Sequence, residues 1–333
     1  MSIEKVRVAL VGVGSWGQCH LEAYLSLPQV EVVALCDTRI DHLNGVADRH
    51  GIVDRYDSTD ALWQRDDIDL VDVATAESMH LVPVLGALNA GKHVLVEKPV
   101  AIEVTEAQAM QQAAEKNNCF LMPGHILRFD PRYAEIRSAI RENRIGEVVS
   151  IHSKRGRPKS QFKLYNRIHT AYVLMVHDID LALWYAGSRV RSVRAYERSI
   201  TGGDAPDLLW ACLEFASGAI AVLQSSWLTP DQTHIEMADA TEVIGAEGVL
   251  HVDAVGGGFE RWDATGRHPA GPHIHHRVAG RVVGALRDEL SYFCDCIRND
   301  QAPSYIPFAD AIHGLEVIET VVRSARTGQE VSL

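Results

Sequence analysis

The sequence predicts two α/β domains. A doubly wound parallel sheet occupies residues 1–125, and a second domain with a mostly antiparallel sheet occupies residues 126–333. Three observations predict this. Strand and helix patterns alternate through the first 125 residues. Gly12, Gly14 and Gly17 join the first strand to the first helix. After Tyr185 several strand-like runs follow one another with no helix between them.

Val6 to Val11 is almost wholly aliphatic, as a parallel strand covered on both faces should be. Ser15 to Leu27 reads as a helix and Val30 to Cys36 as the second strand. Thr38 to His50 is helical, with Gly51 as its stop. Leu70 to Ala74 and His93 to Val96 are strands flanking a helix over Met79 to Ala90. A helix over Thr105 to Asn117 and a strand over Phe120 to Met122 complete the alternation.

Asp130 then reads as an N-cap and Pro131 as the first residue of a helix closed by Gly146. A strand over Val148 to Lys154, a loop, and a helix over Thr170 to Tyr185 follow. Val190 to Glu197, Leu208 to Phe215, Ala219 to Trp227, Glu242 to Ile244 and Val249 to Val252 are strands, with turns at Ser217-Gly218 and Glu247-Gly248. "DAVGGGFE" and "RHPAGPHIHHRVAG" read as loops, and helices near Gly284 to Arg298 and Phe308 to Thr327 close the chain.

A length of 333 residues suits two cores rather than one. No run is long enough to span a membrane, and "MSIEKVRVALVGVG" enters a strand too early for a signal peptide, so a cytoplasmic protein is expected. The six cysteines form no C-x-x-C pair and read as reduced thiols. His268, His273, His275 and His276 cluster in a loop, but without a cysteine or an i,i+4 helical pair no metal is expected. A net charge of -12 argues against a nucleic-acid or acidic-membrane partner. Yet no acid lies between Glu147 and Asp178, where Lys154, Arg155, Arg157, Lys159, Lys163 and Arg167 fall.

The stretch Gly12-Val13-Gly14-Ser15-Trp16-Gly17 has the spacing of a dinucleotide-binding turn. One glycine makes the turn, one admits the pyrophosphate to the backbone, and one lets helix and strand pack closely. Asp37 lies 20 residues after Gly17, where an acid accepts the ribose hydroxyls and repels a 2′-phosphate. NAD is therefore expected over NADP, although Arg39, beyond Thr38, is of the type that holds a 2′-phosphate. Thr75, Ala76 and His80 follow another strand at its carboxyl end, where ligands of such sheets sit.

A further strand ends on Glu97, Lys98 and Pro99 at that same edge. A lysine there is suited to moving a proton or polarising a hydroxyl beside the nicotinamide. In "YVLMVHDIDLALW", Val173, His177, Asp180 and Trp184 share one face of an α-helix, and the His and Asp are costly there unless partnered or used. His125 and Arg128 lie close after the last strand of the first domain; His125 is expected to line the crevice and contact substrate, and Arg128 to bind substrate or pair with an acid.

The glycine loop with His20, Glu97-Lys98-Pro99, "GHILRFDP" (124–131), "HDIDLALW" (177–184) and the closing "SARTGQEVSL" strongly resemble the Gfo/Idh/MocA oxidoreductases over nearly the whole chain. The resemblance implies a Rossmann domain, an α/β domain with a large open sheet, and dimers or tetramers formed through that sheet. It implies Lys98 and His177 as catalytic groups and Asp180 as a substrate contact. Many polyol dehydrogenases of the family have an aspartate where this chain has Val173, with Tyr172 a candidate replacement donor. Ala76 stands where a proline is usual. The pattern looks closer to the nucleotide-sugar branch than to the inositol branch. The basic segment with Arg155 fits either an anionic substrate or an acidic neighbouring subunit.

The reading is thus an NAD-dependent oxidoreductase acting on a sugar, sugar derivative or polyol. Its rivals are an NAD-dependent glycosidase using transient oxidation and a catalytically inactive NAD-binding sensor.

Overall fold

The computed structural model describes residues 4–253, 260–263, 266–269 and 274–333. It divides into two compact units, Met1–Asp130 with His273–Ile312, and Pro131–Pro272 with His313–Leu333.

In the first unit six strands form one parallel sheet: β1 (Val6–Val11), β2 (Val30–Cys36), β3 (Arg55–Tyr56), β4 (Leu70–Val73), β5 (His93–Glu97) and β6 (Leu121–Gly124). Their order is β3-β2-β1-β4-β5-β6. The crossovers carry α1 (Ser15–Leu25), α2 (Ile40–His50), α3 (Leu81–Asn89) and α4 (Val104–Lys116). Val8, Leu10, Leu35, Leu70, Val71 and Leu95 are fully buried between the two helix layers, which explains the near-continuous apolar runs. Strand order reverses between β1 and β4, so the ligand crevice of such a sheet opens at their carboxyl ends. α1 stops before the predicted Leu27 because Pro28 disfavours helical backbone at that residue. Helix α3 begins later than predicted, after a 3₁₀ turn at Glu77–Met79.

The second unit holds α5 (Pro131–Arg141), β7 (Val148–Pro158), α6 (Lys159–Tyr165) and α7 (Val176–Ala186), then β8 (Val190–Arg198), β9 (Leu208–Phe215), β10 (Ile220–Thr229), β11 (Ala240–Gly245) and β12 (Val249–Asp253). The sheet order is β12-β11-β7-β10-β9-β8, extended by Val331–Ser332. Every pairing is antiparallel except β7 with β10. Along β9, Leu209, Ala211, Leu213 and Phe215 are buried, while Trp210 and Cys212 on the other face are exposed. Three sequence expectations change here. β7 runs on to Pro158, α6 replaces a loop, and the helix expected over Thr170 to Tyr185 opens as a π-helix, Ala171–Met175.

Helix α8 (Ala285–Arg298) groups with the first unit, and α9 (Phe308–Thr327) passes through the point of division. Part of the stretch expected to be a loop is strand. His276–Val278 pairs with Arg281–Val283 about Ala279 and Gly280, which both have positive φ, as a tight hairpin requires. His273 lies outside the described residues, as does the side chain of His268. No helix among the described residues is long and apolar enough to cross a membrane.

Candidate active site

The site begins where β1 turns into α1. Gly12 has φ 93°, and a Cβ there would lie 2.8 Å from the Ala74 carbonyl at the end of β4. A Cβ on Gly17 would sit 1.9 Å from the Gly12 oxygen. Only glycine lets α1 start this close to two strands. Gly14 is the opposite case, with nothing nearer to its Cβ position than an Arg39 nitrogen at 3.9 Å. That space lies at the N-terminus of α1, whose first turn holds no acid to compete with a phosphate. A buried polar atom at this edge, Thr75 Oγ1, has no protein partner. An open cradle with an orphaned donor fits a dinucleotide. Ser15, Thr38 and Ala76 are exposed beside it.

Asp37 follows β2 and accepts hydrogen bonds from the Val13 amide at 3.1 Å and the Arg39 amide at 2.9 Å. The Arg39 guanidinium adds a fork at 3.0 and 2.9 Å. Burial works against its charge, but Arg39 and the amides outweigh it and hold the carboxyl below its usual range. The acid and the arginine that the sequence set against each other are therefore paired.

β5 ends on Glu97, which is buried, and passes to half-buried Lys98 and the cis Lys98–Pro99 bond. The Glu97 Oε2 atom accepts the Lys98 amide at 3.1 Å. Its Oε1 atom lies 3.3 Å from His20 Nε2, a charge contact outside hydrogen-bond alignment. His20 Nδ1 bonds Asp72 Oδ2 at 2.7 Å. The carboxylate at the end of β5 is thus matched by a histidine beneath it. The sequence reading gave His20 and Asp72 no role. Two signals could have found them: His20 shares the apolar face of α1 with Gly17, Leu21 and Tyr24, and Asp72 interrupts the apolar run of β4.

His80 is placed differently from the expectation that it lines the cofactor space. It is 1% exposed, with Nδ1 3.0 Å from the Pro99 oxygen and Nε2 3.2 Å from the Thr75 oxygen. It ties the chain after β4 to the chain after β5, and burial pushes its imidazole below the usual value. His125 is buried at the end of β6. Arg128 is also turned inward: it is 1% exposed, pairs with Asp310 at 3.0 Å and donates to the Tyr305 oxygen at 3.3 Å.

In the second unit Arg155 and Arg157 depart from the expectation for the basic segment, whose Lys154, Lys159, Lys163 and Arg167 are exposed. Arg155 is 2% exposed and grips Asp178 from Nε at 3.0 Å and from NH2 at 2.9 Å. Its NH1 atom bonds Asp239 at 2.6 Å. Arg157 bonds the same Asp239 at 2.5 and 3.0 Å. These guanidinium groups hold β7, β11 and α7 together and are not presented to an anionic substrate. The acids that match them lie outside the acid-free segment, so the sequence could not show the pairing.

The π-helix also changes which residues accompany His177. Its i→i+5 bonding matches the five-residue spacing of Tyr172 and His177. Tyr172 and His177 are the partly exposed residues between Ala171 and Tyr185, and all the others there are buried. Val173 instead joins an apolar cluster with Phe162, Leu174, Ala205 and Trp227. Asp180 and Trp184 remain on the His177 side of α7, at 4% and 8% exposure.

Residues 6–125 match a family model described as an oxidoreductase family with an NAD-binding Rossmann fold, and residues 133–251 match the GFO/IDH/MocA C-terminal domain. The chain is 27% identical to a D-apiose dehydrogenase of Paraburkholderia graminis, covering 100% of this chain and 91% of that one. It is 27% identical to a scyllo-inositol 2-dehydrogenase (NAD(+)) of Bacillus subtilis, covering 99% and 96%. Among solved structures, GenD2 from gentamicin A biosynthesis, in complex with NAD, superposes with a TM-score of 0.87 at 25% identity, covering 100% of this chain and 97% of that one.

Proposed function

The chain belongs to the Gfo/Idh/MocA oxidoreductase family, and from that premise we propose that it is an NAD-dependent dehydrogenase of an uncharged polyol or sugar. One observation carries the reading. Lys98 leaves β5 at the same edge of the sheet as the Gly12–Gly17 loop and Thr75, which supports an amine acting beside the nicotinamide of a bound cofactor.

Oxidising a secondary alcohol removes a hydride from carbon and a proton from oxygen. NAD, when bound, supplies the acceptor for the hydride. The protein must orient the alcohol and take the proton, work worth about 100- to 10,000-fold in rate. Lys98 is the proposed proton-handling group of the first unit. In the second unit His177 has the same role, with Tyr172 and Asp180 as hydrogen-bonding contacts to substrate. An uncharged substrate comes first because Arg155 and Arg157 are already neutralised by Asp178 and Asp239. The inositol and apiose dehydrogenases among its relatives also favour that class.

The test is absorbance at the NADH band with NAD and a panel of cyclitols, aldoses, sugar acids and nucleotide sugars, with NADP in parallel. A rise with a cyclitol or neutral sugar is expected. Lys98→Met should bind NAD normally and lose about 100-fold or more in kcat. Turnover near that of the unaltered protein would sink the assignment.

A further inference from the structure

The described part of the first unit buries a chain of ionisable groups that the reaction above does not use. Asp72 and His20 have 0% exposure and Glu97 has 5%. Two carboxylates share one imidazole, with contacts of 2.7 Å to Asp72 and 3.3 Å to Glu97. Burial opposes charge on His20, but Asp72 and Glu97 outweigh it and hold the imidazole well above its ordinary value. Burial likewise opposes charge on Glu97, and His20 outweighs it, holding that carboxyl low. Taking such groups out of water costs several kcal/mol per ion, and a buried pair of this kind is seldom a net gain in stability. Its position is more telling. The network ends on the Lys98 amide through Glu97 Oε2.

We propose that His20, backed by Asp72, is a positioning residue for Lys98, acting through the Glu97 carboxylate. This rests on Lys98 being the proton-handling group. Asp72 fixes the imidazole from below. The imidazole keeps Glu97 ionised and turned inward, and Glu97 holds the Lys98 amide, and so the direction in which the lysine leaves β5. The Trp16 indole meets the His20 ring edge-on at 5.6 Å, so the same histidine supports the first turn of α1. The space for the Glu97 oxygen that faces His20 is limited by β6 as well. A Cβ on Gly124 would come 2.8 Å from Glu97 Oε1.

Asparagine and glutamine separate the two links. At position 20 an Asn amide reaches about as far as Nδ1 and can serve Asp72 alone. A Gln amide reaches about as far as Nε2 and can serve Glu97. The experiment measures kcat, KM and NAD affinity for His20→Asn and His20→Gln, with Lys98→Met alongside. His20→Asn should lose about 10- to 100-fold in kcat while NAD affinity stays within about 3-fold, and His20→Gln should recover most of the loss. Equal kcat in the two variants, or a loss of NAD affinity matching the loss of kcat, would mean a purely structural histidine and overturn the proposal. If Lys98→Met is inactive while His20→Asn turns over normally, the positioning role fails and the lysine stands. If Lys98→Met turns over normally, both fail. Gly124→Ala displaces Glu97 without removing an ionisable group, which keeps the test open should the His20 variants not fold. It should lower kcat about 10-fold at unchanged NAD affinity, and unchanged kcat would overturn the proposal.

Discussion

The Arg39 guanidinium lies in a two-bond fork on the Asp37 carboxylate, at 3.0 and 2.9 Å. On the proposed reading the Asp37 carboxylate accepts the ribose hydroxyls, and a bound dinucleotide would then draw Arg39 away from at least one of its oxygens. Asp37→Ala frees the guanidinium for a 2′-phosphate and removes the charge that repels it. The ratio of kcat/KM for NADP to that for NAD should rise about 10- to 100-fold, a change of roughly 1.4–2.8 kcal/mol. Arg39→Ala should move the ratio the other way. Steady-state kinetics with both cofactors checks the pair, and an unchanged ratio in both variants would remove Asp37 from cofactor selection.

Tyr172 is expected to work with His177, and Val173 to serve packing. Tyr172→Phe removes one hydroxyl and should lower kcat about 10-fold without changing NAD affinity. Val173→Asp places a carboxylate among Phe162, Leu174, Ala205 and Trp227. It should cost about 3 kcal/mol in stability and restore no activity. Denaturant unfolding and initial rates read the two effects separately.

The pairing of Arg155 and Arg157 with Asp178 and Asp239 makes a stability prediction. Arg155→Met leaves Asp178 with no guanidinium bond from Arg155 and should destabilise the protein by about 3–5 kcal/mol, seen as a fall in the denaturation midpoint.

The same network sets an acid limit. Burial opposes charge on Asp239, but Arg155 and Arg157 outweigh it and hold its carboxyl below the ordinary value. A carboxylate with a depressed folded-state pKa contributes stability that is fully present above its unfolded pKa of about 3.9 and is lost as pH falls through the folded value. Stability measured by thermal unfolding should therefore drop below about pH 4. Arg157→Gln should raise the folded value toward the unfolded one, so that this loss becomes smaller and is complete at higher pH.

The sequence by itself determined the features that short contiguous stretches encode. Aliphatic runs marked the parallel strands, because a strand covered on both faces needs apolar residues at every position. The glycine spacing marked the phosphate loop, because each glycine answers a backbone constraint within six residues. The end of β5 also put Lys98 at the carboxyl edge of the sheet, where ligands of such sheets gather. Tertiary structure alone decided the rest. His20 meets an aspartate 52 residues away, and Arg155 meets one 84 residues away. Such partners are chosen by which strands lie side by side, which local periodicity does not carry. The π-turn before α7 belongs with them. Whether a backbone N–H reaches back four residues or five is not carried by local periodicity; here Val173 packs with Phe162, Leu174, Ala205 and Trp227, while Tyr172 and His177 stay partly exposed.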